Sequence, residues 1–382
     1  MAVQKIDIEQ FLELAKEYPV LDVRSPGEYL HAHIPEAISF PLFSDEERKV
    51  VGTSYKQQSR EQAIKIGLDY FGPKMRMMVE EVEEIIHNRQ LTIDNKQQTI
   101  NKAEKPLLIA NCVLIHCWRG GMRSAAIAWL LELYGFKVYT LVGGYKKYRN
   151  YVLDSFKIPF ELKIVGGYTG SGKTGLLKAL KEKGEKVVDL EGLASHKGSA
   201  FGNIGLPKQP GQEMFENLLA FELRGVMKRR QESTDSQLTI HHSSIWLEDE
   251  SQRIGLVNIP KDLWDQMRQS HVYFLNIPFE ARLKQIVLEY GVLDQEMMTD
   301  AIDRISKKLG KSNAKSAISL LNEGKKDQSF DILLKYYDKH YFKSLHNRKD
   351  INSLLHKIEC KSVTPENANQ LIRLSQLQQQ SS

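Results

Sequence analysis

The sequence runs to 382 residues, which at roughly 100 to 200 residues per domain allows two or three domains with full-sized cores and argues against a single small adaptor module. Hydrophobic residues make up 41% and charged residues 26%, ordinary globular proportions that exclude overall disorder and a fibrous repeat. Lys and Arg total 53 against 48 Asp and Glu, a formal charge of +5, so an anionic partner is admitted without the charge density of a dedicated nucleic-acid coat.

The opening MAVQKIDIEQFLELAKEYPV is amphipathic and acidic and reads as neither a signal nor a transit peptide. Nothing later reaches the roughly 18 apolar residues of a membrane span. Cys112, Cys117 and Cys360 cannot all pair within one chain and make no disulfide framework. A reduced, cytoplasmic protein is expected.

In chain order, a helix (IEQFLELAKEY), a strand (PVLDVRS) and a second strand within HIPEAISFP make an α/β opening. Residues of about 45–104 carry helical spacing, closed by the polar connector LTIDNKQQTINKAEK, and read as a helical insertion. A buried strand, LLIANCVLIHC, then leads through the loop WRGGMRS to the helix AAIAWLLELYG and the strand KVYTLVGG, a unit suited to a parallel sheet. This first domain spans 1–150. After the connector KKYRNYVLDSF, a second domain spans 160–295. Its strands are ELKIVGG, EKVVDLEG, LTIHHSSIWLEDE and HVYFLNI, and its helices are TGLLKALKEKG, QEMFENLLAFELRGVMKRR and FEARLKQIVLEYG. The remainder, 296–382, reads as a helical extension with a frayed tail.

Cys117 ends a strand, is followed by two glycines and two arginines, and precedes a helix whose first turn holds Ser124. Amides of such a turn, the helix N-terminus, and the charges of Arg119 and Arg123 favour the thiolate and an anion bound beside it. Cys112 lies inside an apolar strand and Cys360 has no basic or Gly-rich surroundings, so both read as structural.

The string GYTGSGKT at 167–174 satisfies the phosphate-loop pattern G-x-x-x-x-G-K-[ST] between a strand and a helix. Gly167, Gly170, Ser171 and Gly172 curl the backbone so that its amides face phosphate oxygens, Lys173 adds a point charge, and Thr174 can hold Mg²⁺. Carboxylates at neighbouring strand ends are the candidates for a metal or substrate contact: Asp189, Glu191, Glu248 and Asp249. His196 and Lys197 can approach a phosphate or an RNA backbone, but no second ligand stands at metal-binding spacing from His196. The basic stretches KKYRNY and MKRR read first as solvated helix faces and second as tracks for RNA.

The segments LDVRSPGEY, HIPEAISFP and the strand ending in Cys117 resemble a rhodanese domain, while HCWRGGMRS also fits the H-C-x5-R signature of cysteine phosphatases from His116 to Arg123. The loop is one residue longer than in ordinary sulfurtransferase rhodaneses, leaving room for a tetrahedral group. Together with VGTSYKQQS, GGYTGSGKT, DLEGLASHKGSAFG and IWLEDESQRIG, in that order, the chain resembles the tRNA 2-selenouridine synthase family over nearly its whole length. The resemblance implies an α/β fold, a rhodanese-like parallel-sheet domain followed by a P-loop NTPase-like domain and a helical C-terminal region. It also implies transferase chemistry on tRNA with a wobble 2-thiouridine, whose sulfur is geranylated from geranyl diphosphate and then replaced by selenium from selenophosphate. The enlarged loop at Cys117 suits selenophosphate, with Cys117 either a nucleophilic carrier or the thiolate that organises the donor, and the loop at Lys173 suits a diphosphate. Two other classes stay open: an ATP-dependent kinase or RNA-thiolating enzyme, and a non-catalytic RNA-binding regulator that uses the phosphate loop as a nucleotide switch.

Overall fold

The computed structural model describes residues 3–100, 111–226 and 244–381. They fall into two compact units, Met1–Ser155 and Phe156–Ser382. Among the described residues no helix is long and apolar enough to cross a membrane.

The first unit runs β1 (Gln4–Ile6), α1 (Ile8–Leu14), β2 (Val20–Asp22), α2 (Pro26–His31), β3 (Ile38–Ser39), α3 (Asp45–Gln57), α4 (Arg60–Phe71), α5 (Met75–Ile100), β4 (Cys112–His116), α6 (Met122–Tyr134), β5 (Lys137–Leu141) and α7 (Gly144–Ser155). Its sheet has the order β1-β5-β4-β2-β3, with every pairing parallel. The centre goes to β4, whose five residues CVLIH are all buried, as a strand covered on both faces requires. Local signals set the helix ends. Asp7 accepts from the Gln10 amide at 2.9 Å, and Ser44 with Glu47 forms a capping box at the start of α3. The helical insertion is no separate body, because Met78, Val79 and Val82 of α5 join Val113, Ile115, Ile127 and Leu131 in one core.

Two expectations change here. The polar stretch expected as a connector continues α5 to Ile100, because Asn and Gln weaken a helix while only Gly or Pro reliably stops one; residues 101–105 of that connector lie outside the described residues, as do residues 107–110 of the expected strand. KKYRNYVLDSF is helical rather than a linker, since Tyr145, Tyr148 and Val152 recur at helical spacing and are buried.

The second unit runs β6 (Leu162–Gly167), α8 (Lys173–Glu182), β7 (Lys186–Val187), α9 (Leu190–Ala194), α10 (Gln212–Val226), β8 (Ile245–Glu248), a hairpin β9 (Arg253–Ile254) and β10 (Val257–Asn258), α11 (Lys261–Gln269), β11 (His271–Asn276), α12 (Phe279–Tyr290), α13 (Gln295–Arg304), α14 (Ser306–Leu309), α15 (Lys311–Asn322), α16 (Lys326–His346), α17 (Ile351–Leu354), β12 (Leu355–Glu359) and α18 (Asn367–Ser381). The sheet order is β12-β11-β6-β8-β7, again all parallel. The chain leaves β6 for β7 and β8 on one side and returns to β11 and β12 on the other. The loop after β6 therefore stands at the topological switch point, where open α/β sheets bind ligands.

Helices fill most of the chain beyond 295, but Leu355–Glu359 adds a parallel edge strand to this sheet. Only Ile358 of that strand is buried, so LHKIE carries no alternation that sequence could reveal. Strand β7 is shorter than EKVVDLEG suggests, because Asp189 caps α9. The tail to Ser381 is helical. Residues 227–243, which include MKRR and the start of LTIHHSSIWLEDE, lie outside the described residues.

Candidate functional site

The first candidate centre is the loop after β4. Cys117 is 3% exposed. Its Sγ lies 3.3 Å from Ser124 Oγ and accepts from the Gly121 amide at 3.3 Å. Burial works to raise the thiol, but hydrogen bonds from Ser124 Oγ and the amides of Ser124, Gly121 and Arg119 outweigh it and hold Cys117 below the usual thiol range. The loop rests on the β5–α7 corner. The Tyr145 amide donates to Cys117 O at 2.8 Å and the Lys146 amide to Trp118 O at 3.0 Å. Gly144, at φ +57, sits so close beneath that a Cβ would lie 2.3 Å from Cys117 O, so any side chain there displaces the thiol loop.

The expected arginines divide. Arg119 contributes its amide, and its side chain is exposed. Arg123 is held by Glu28, with Nη1 donating to Oε2 at 2.6 Å and Nη2 to Oε1 at 3.3 Å, while Arg48 pairs with the same carboxylate at 2.8 Å. Glu28 is partly buried, which would raise its pKa, yet Arg123 and the Ser25 amide bring it down to about 2. The thiolate thus rests on backbone dipoles and on Ser124, which the sequence places in the first turn of the helix without assigning it a role. His116, at the end of β4, is fully buried and kept neutral by that burial. Cys112 is buried and pushed up to about 11 by burial, and the Cys360 thiol is raised for the same reason, so both behave as core residues.

The second candidate centre is a cavity of about 390 Å³ lined by the loop 169–175 and by residues of the α9–α10 connection, the end of β8 and helix α16. The loop is fixed from behind. Tyr341 Oη accepts from the Gly167 amide at 3.1 Å. Arg282 donates to Thr169 O at 3.0 Å while pairing doubly with Asp338 at 2.8 and 2.7 Å. Gly172, at φ +70, is the N-cap of α8, and a Cβ there would meet Val363 at 2.3 Å. Lys173 Nζ donates to Gly167 O at 3.3 Å, the resting position of an ammonium that a phosphate can claim.

The four strand-end carboxylates have different fates. Glu191 accepts from Thr174 Oγ1 at 3.2 Å and lines the cavity. Glu248 is fully buried, accepts from the Glu191 amide at 2.7 Å, and is pushed well above the usual range by burial and by Asp189. Asp189 accepts from the Gly192 amide at 2.7 Å as a helix cap. Asp249 accepts from Tyr341 Oη at 2.8 Å and from Arg348, so its charge is already compensated. Sequence reasoning passed over Glu250, which lines the cavity beside Glu191 and is hydrogen-bonded to it. Burial and the neighbouring Glu191 raise Glu250 to about 8, and burial raises Glu191 as well, against the opposing pull of the Lys173 ammonium on both.

His196 accepts from the Gly198 amide at 3.1 Å and is lowered by burial; it shapes its loop. Lys197 lies over the Tyr290 ring at 5.4 Å and lines the cavity. Tyr337, His340 and Tyr341 of α16 complete the wall. Only the fold could bring them there, since they follow Lys173 by more than 160 residues. Among the described residues no three His, Cys, Asp or Glu side chains converge as a metal site.

A family model described as the tRNA 2-selenouridine synthase AAA domain matches residues 160–364, and one described as a rhodanese-like domain matches residues 7–151. The tRNA 2-selenouridine synthase of Hydrogenovibrio crunogenus is 32% identical over 372 residues, covering 89% of this chain and 92% of its own. That of Shewanella denitrificans is 34% identical over 294 residues, covering 76% and 70%, and that of Bdellovibrio bacteriovorus 34% over 297, covering 76% and 69%. With both units matched in order and relatives aligned over most of its length, this chain belongs to the tRNA 2-selenouridine synthase family.

Proposed function

We propose that the protein replaces the sulfur of a wobble 2-thiouridine in tRNA with selenium, in two transfers. In the first, the C1–O bond of geranyl diphosphate breaks as a bond forms from C1 to the nucleoside sulfur, diphosphate leaves, and the base gives up its N3 proton to water. The loop at Gly167–Thr174 receives that diphosphate, with Lys173 and the loop amides stabilising its charge. In the second, selenide adds at C2, the C2–S bond breaks, and geranylthiol departs with the proton that selenide brought. Selenide comes from selenophosphate by cleavage of the P–Se bond, either by water, which releases phosphate directly, or by Cys117 attacking phosphorus, after which water hydrolyses the S–P bond, releases phosphate and restores the thiol. The low thiol pKa serves either the nucleophile or a thiolate that orders the donor. A Mg²⁺ ion would be held beside Thr174 and Glu191, where the neighbouring carboxylates of Glu191 and Glu250 offer negative charge, and it would neutralise diphosphate oxygens.

The observation that carries the reading is that each unit ends a central parallel strand in one anion cradle, at Cys117 and at Lys173. Incubation with thiolated tRNA, geranyl diphosphate and selenophosphate, followed by nucleoside mass analysis, is expected to give selenouridine only with all three. Omitting selenophosphate leaves the geranylated nucleoside. Selenouridine formed without geranyl diphosphate overturns the order of steps. The hydrogen bond from Thr174 to Glu191 also suits a Mg-nucleotide, and tRNA-stimulated ATP hydrolysis would favour that second reading.

A further inference from the structure

Between Asp303 and Glu323 the chain carries Arg304, Lys307, Lys308, Lys311 and Lys315 and no carboxylate. The segment folds as α14 and α15, joined at Gly310. Leu309, Ala314, Ala317 and Leu321 turn inward and share one core with Phe201, Ile204 and Phe330, which leaves the lysines outside. Lys307, Lys308, Lys311 and Lys315 are all exposed, and Lys311 and Lys315, four positions apart, stand on one face of α15. Among the described residues none of these four ammonium groups is held by a hydrogen bond or an ion pair. Glu323, the carboxylate that ends the stretch, is taken by Lys325 at 2.8 Å. Like charges gathered on one corner repel one another, and a polyanion relieves that repulsion.

The chemistry of the corner narrows the partner. No large apolar side chain between 304 and 322 is exposed. A membrane-surface helix needs such groups to enter the lipid, and protein interfaces anchor on aromatic residues and are depleted of Lys. Lysines interleaved with the exposed Ser312, Asn313 and Ser316 instead suit phosphate and sugar oxygens. The corner is also tied to the phosphate cavity. Arg304 Nη2 donates to Ala200 O at 3.1 Å, the Ala200 amide donates to Tyr337 Oη at 3.1 Å, and Tyr337 and Ser199 line that cavity. We propose that the α14–α15 corner is the surface on which the sugar-phosphate backbone of the tRNA docks, through Lys307, Lys308, Lys311 and Lys315. The contact reads no base; it supplies affinity and orientation, and holds the RNA on the unit that carries the phosphate cavity.

The docking surface rests on the proposed function only for tRNA as the substrate, and its test needs none of the transfer chemistry. Full-length protein is titrated with a labelled tRNA transcript, read by fluorescence anisotropy at several salt concentrations, and in parallel with phosphatidylserine vesicles. Lys311→Gln combined with Lys315→Gln removes two phosphate contacts and touches neither cradle. Each lysine on a phosphate adds about 0.9 to the slope of log affinity against log salt. The double variant is therefore expected to lower that slope by about two and to weaken tRNA binding at least about tenfold near 0.1 M salt, with thermal unfolding unchanged. Lys5→Gln combined with Lys65→Gln, the same change in charge at two exposed positions of the first unit, should leave slope and affinity close to the parent. A slope lowered equally by both pairs, or by neither, overturns the docking surface and leaves the proposed chemistry standing. So does a Lys311→Gln, Lys315→Gln variant that loses vesicle binding and keeps tRNA binding. A parent protein that binds no tRNA overturns the surface together with the functional reading.

Discussion

At the scale of single residues, the chemistry of Cys117 is set by hydrogen bonds more than by net charge. Arg123, one of the two expected sources of positive charge, is engaged by Glu28, and the Ser124 hydroxyl with three amides favours the thiolate against the opposing effect of burial. The sign follows directly. A thiol lowered from its ordinary 9.0 alkylates with a pH midpoint below that value, and loss of a thiolate partner must move the midpoint upward. Ser124→Ala is therefore expected to slow iodoacetamide labelling of Cys117 at pH 7 to 8 and to leave it unchanged near pH 10. Arg119→Ala, which keeps the amide, should shift the midpoint less. Equal shifts for the two variants would restore the arginine charge as the main cause.

At the scale of elements, the phosphate loop is held by helix α16 and the residues just after it. Tyr341 touches both the Gly167 amide and Asp249, and Arg348 closes the group by pairing with Asp249. Arg348 is 5% and Asp249 9% exposed, so neither charge has water as a substitute. Removing one member of a buried pair leaves the other uncompensated, at a cost of about 3–5 kcal/mol. Arg348→Met should lower stability by that order in denaturant melts, and adding Asp249→Asn should recover part of the loss. A loss under about 1 kcal/mol would mean that Asp249 finds other partners.

At the scale of the whole molecule, each unit has its own sheet and its own core clusters, and each anion cradle is built from residues of one unit. Ligand protection should therefore map separately. In the full chain, diphosphate is expected to slow amide exchange at 167–175 in the Cys117→Ser variant as in the parent. Lys173→Ala should lose that protection without changing the labelling rate of Cys117. A change in Cys117 labelling on Lys173→Ala would show that the two cradles are energetically linked.

The sequence by itself determined the two parallel-sheet units, the thiol at the end of β4 and the phosphate loop after β6. These depend on local signals: continuous apolar strands, glycines at fixed offsets, and a cationic residue opening a helix. It could not decide which carboxylates reach the phosphate cavity. Glu248, Asp249 and Glu250 are consecutive, and the neighbours the fold supplies, a backbone amide, Arg348 and Glu191 in turn, assign them different roles. The same holds for Arg123, whose partner Glu28 lies 95 positions earlier, and for β12, an edge strand with a single buried residue. Local composition fixes what a residue is able to do, whereas desolvation and pairing, which set its charge, arise only when distant segments pack together.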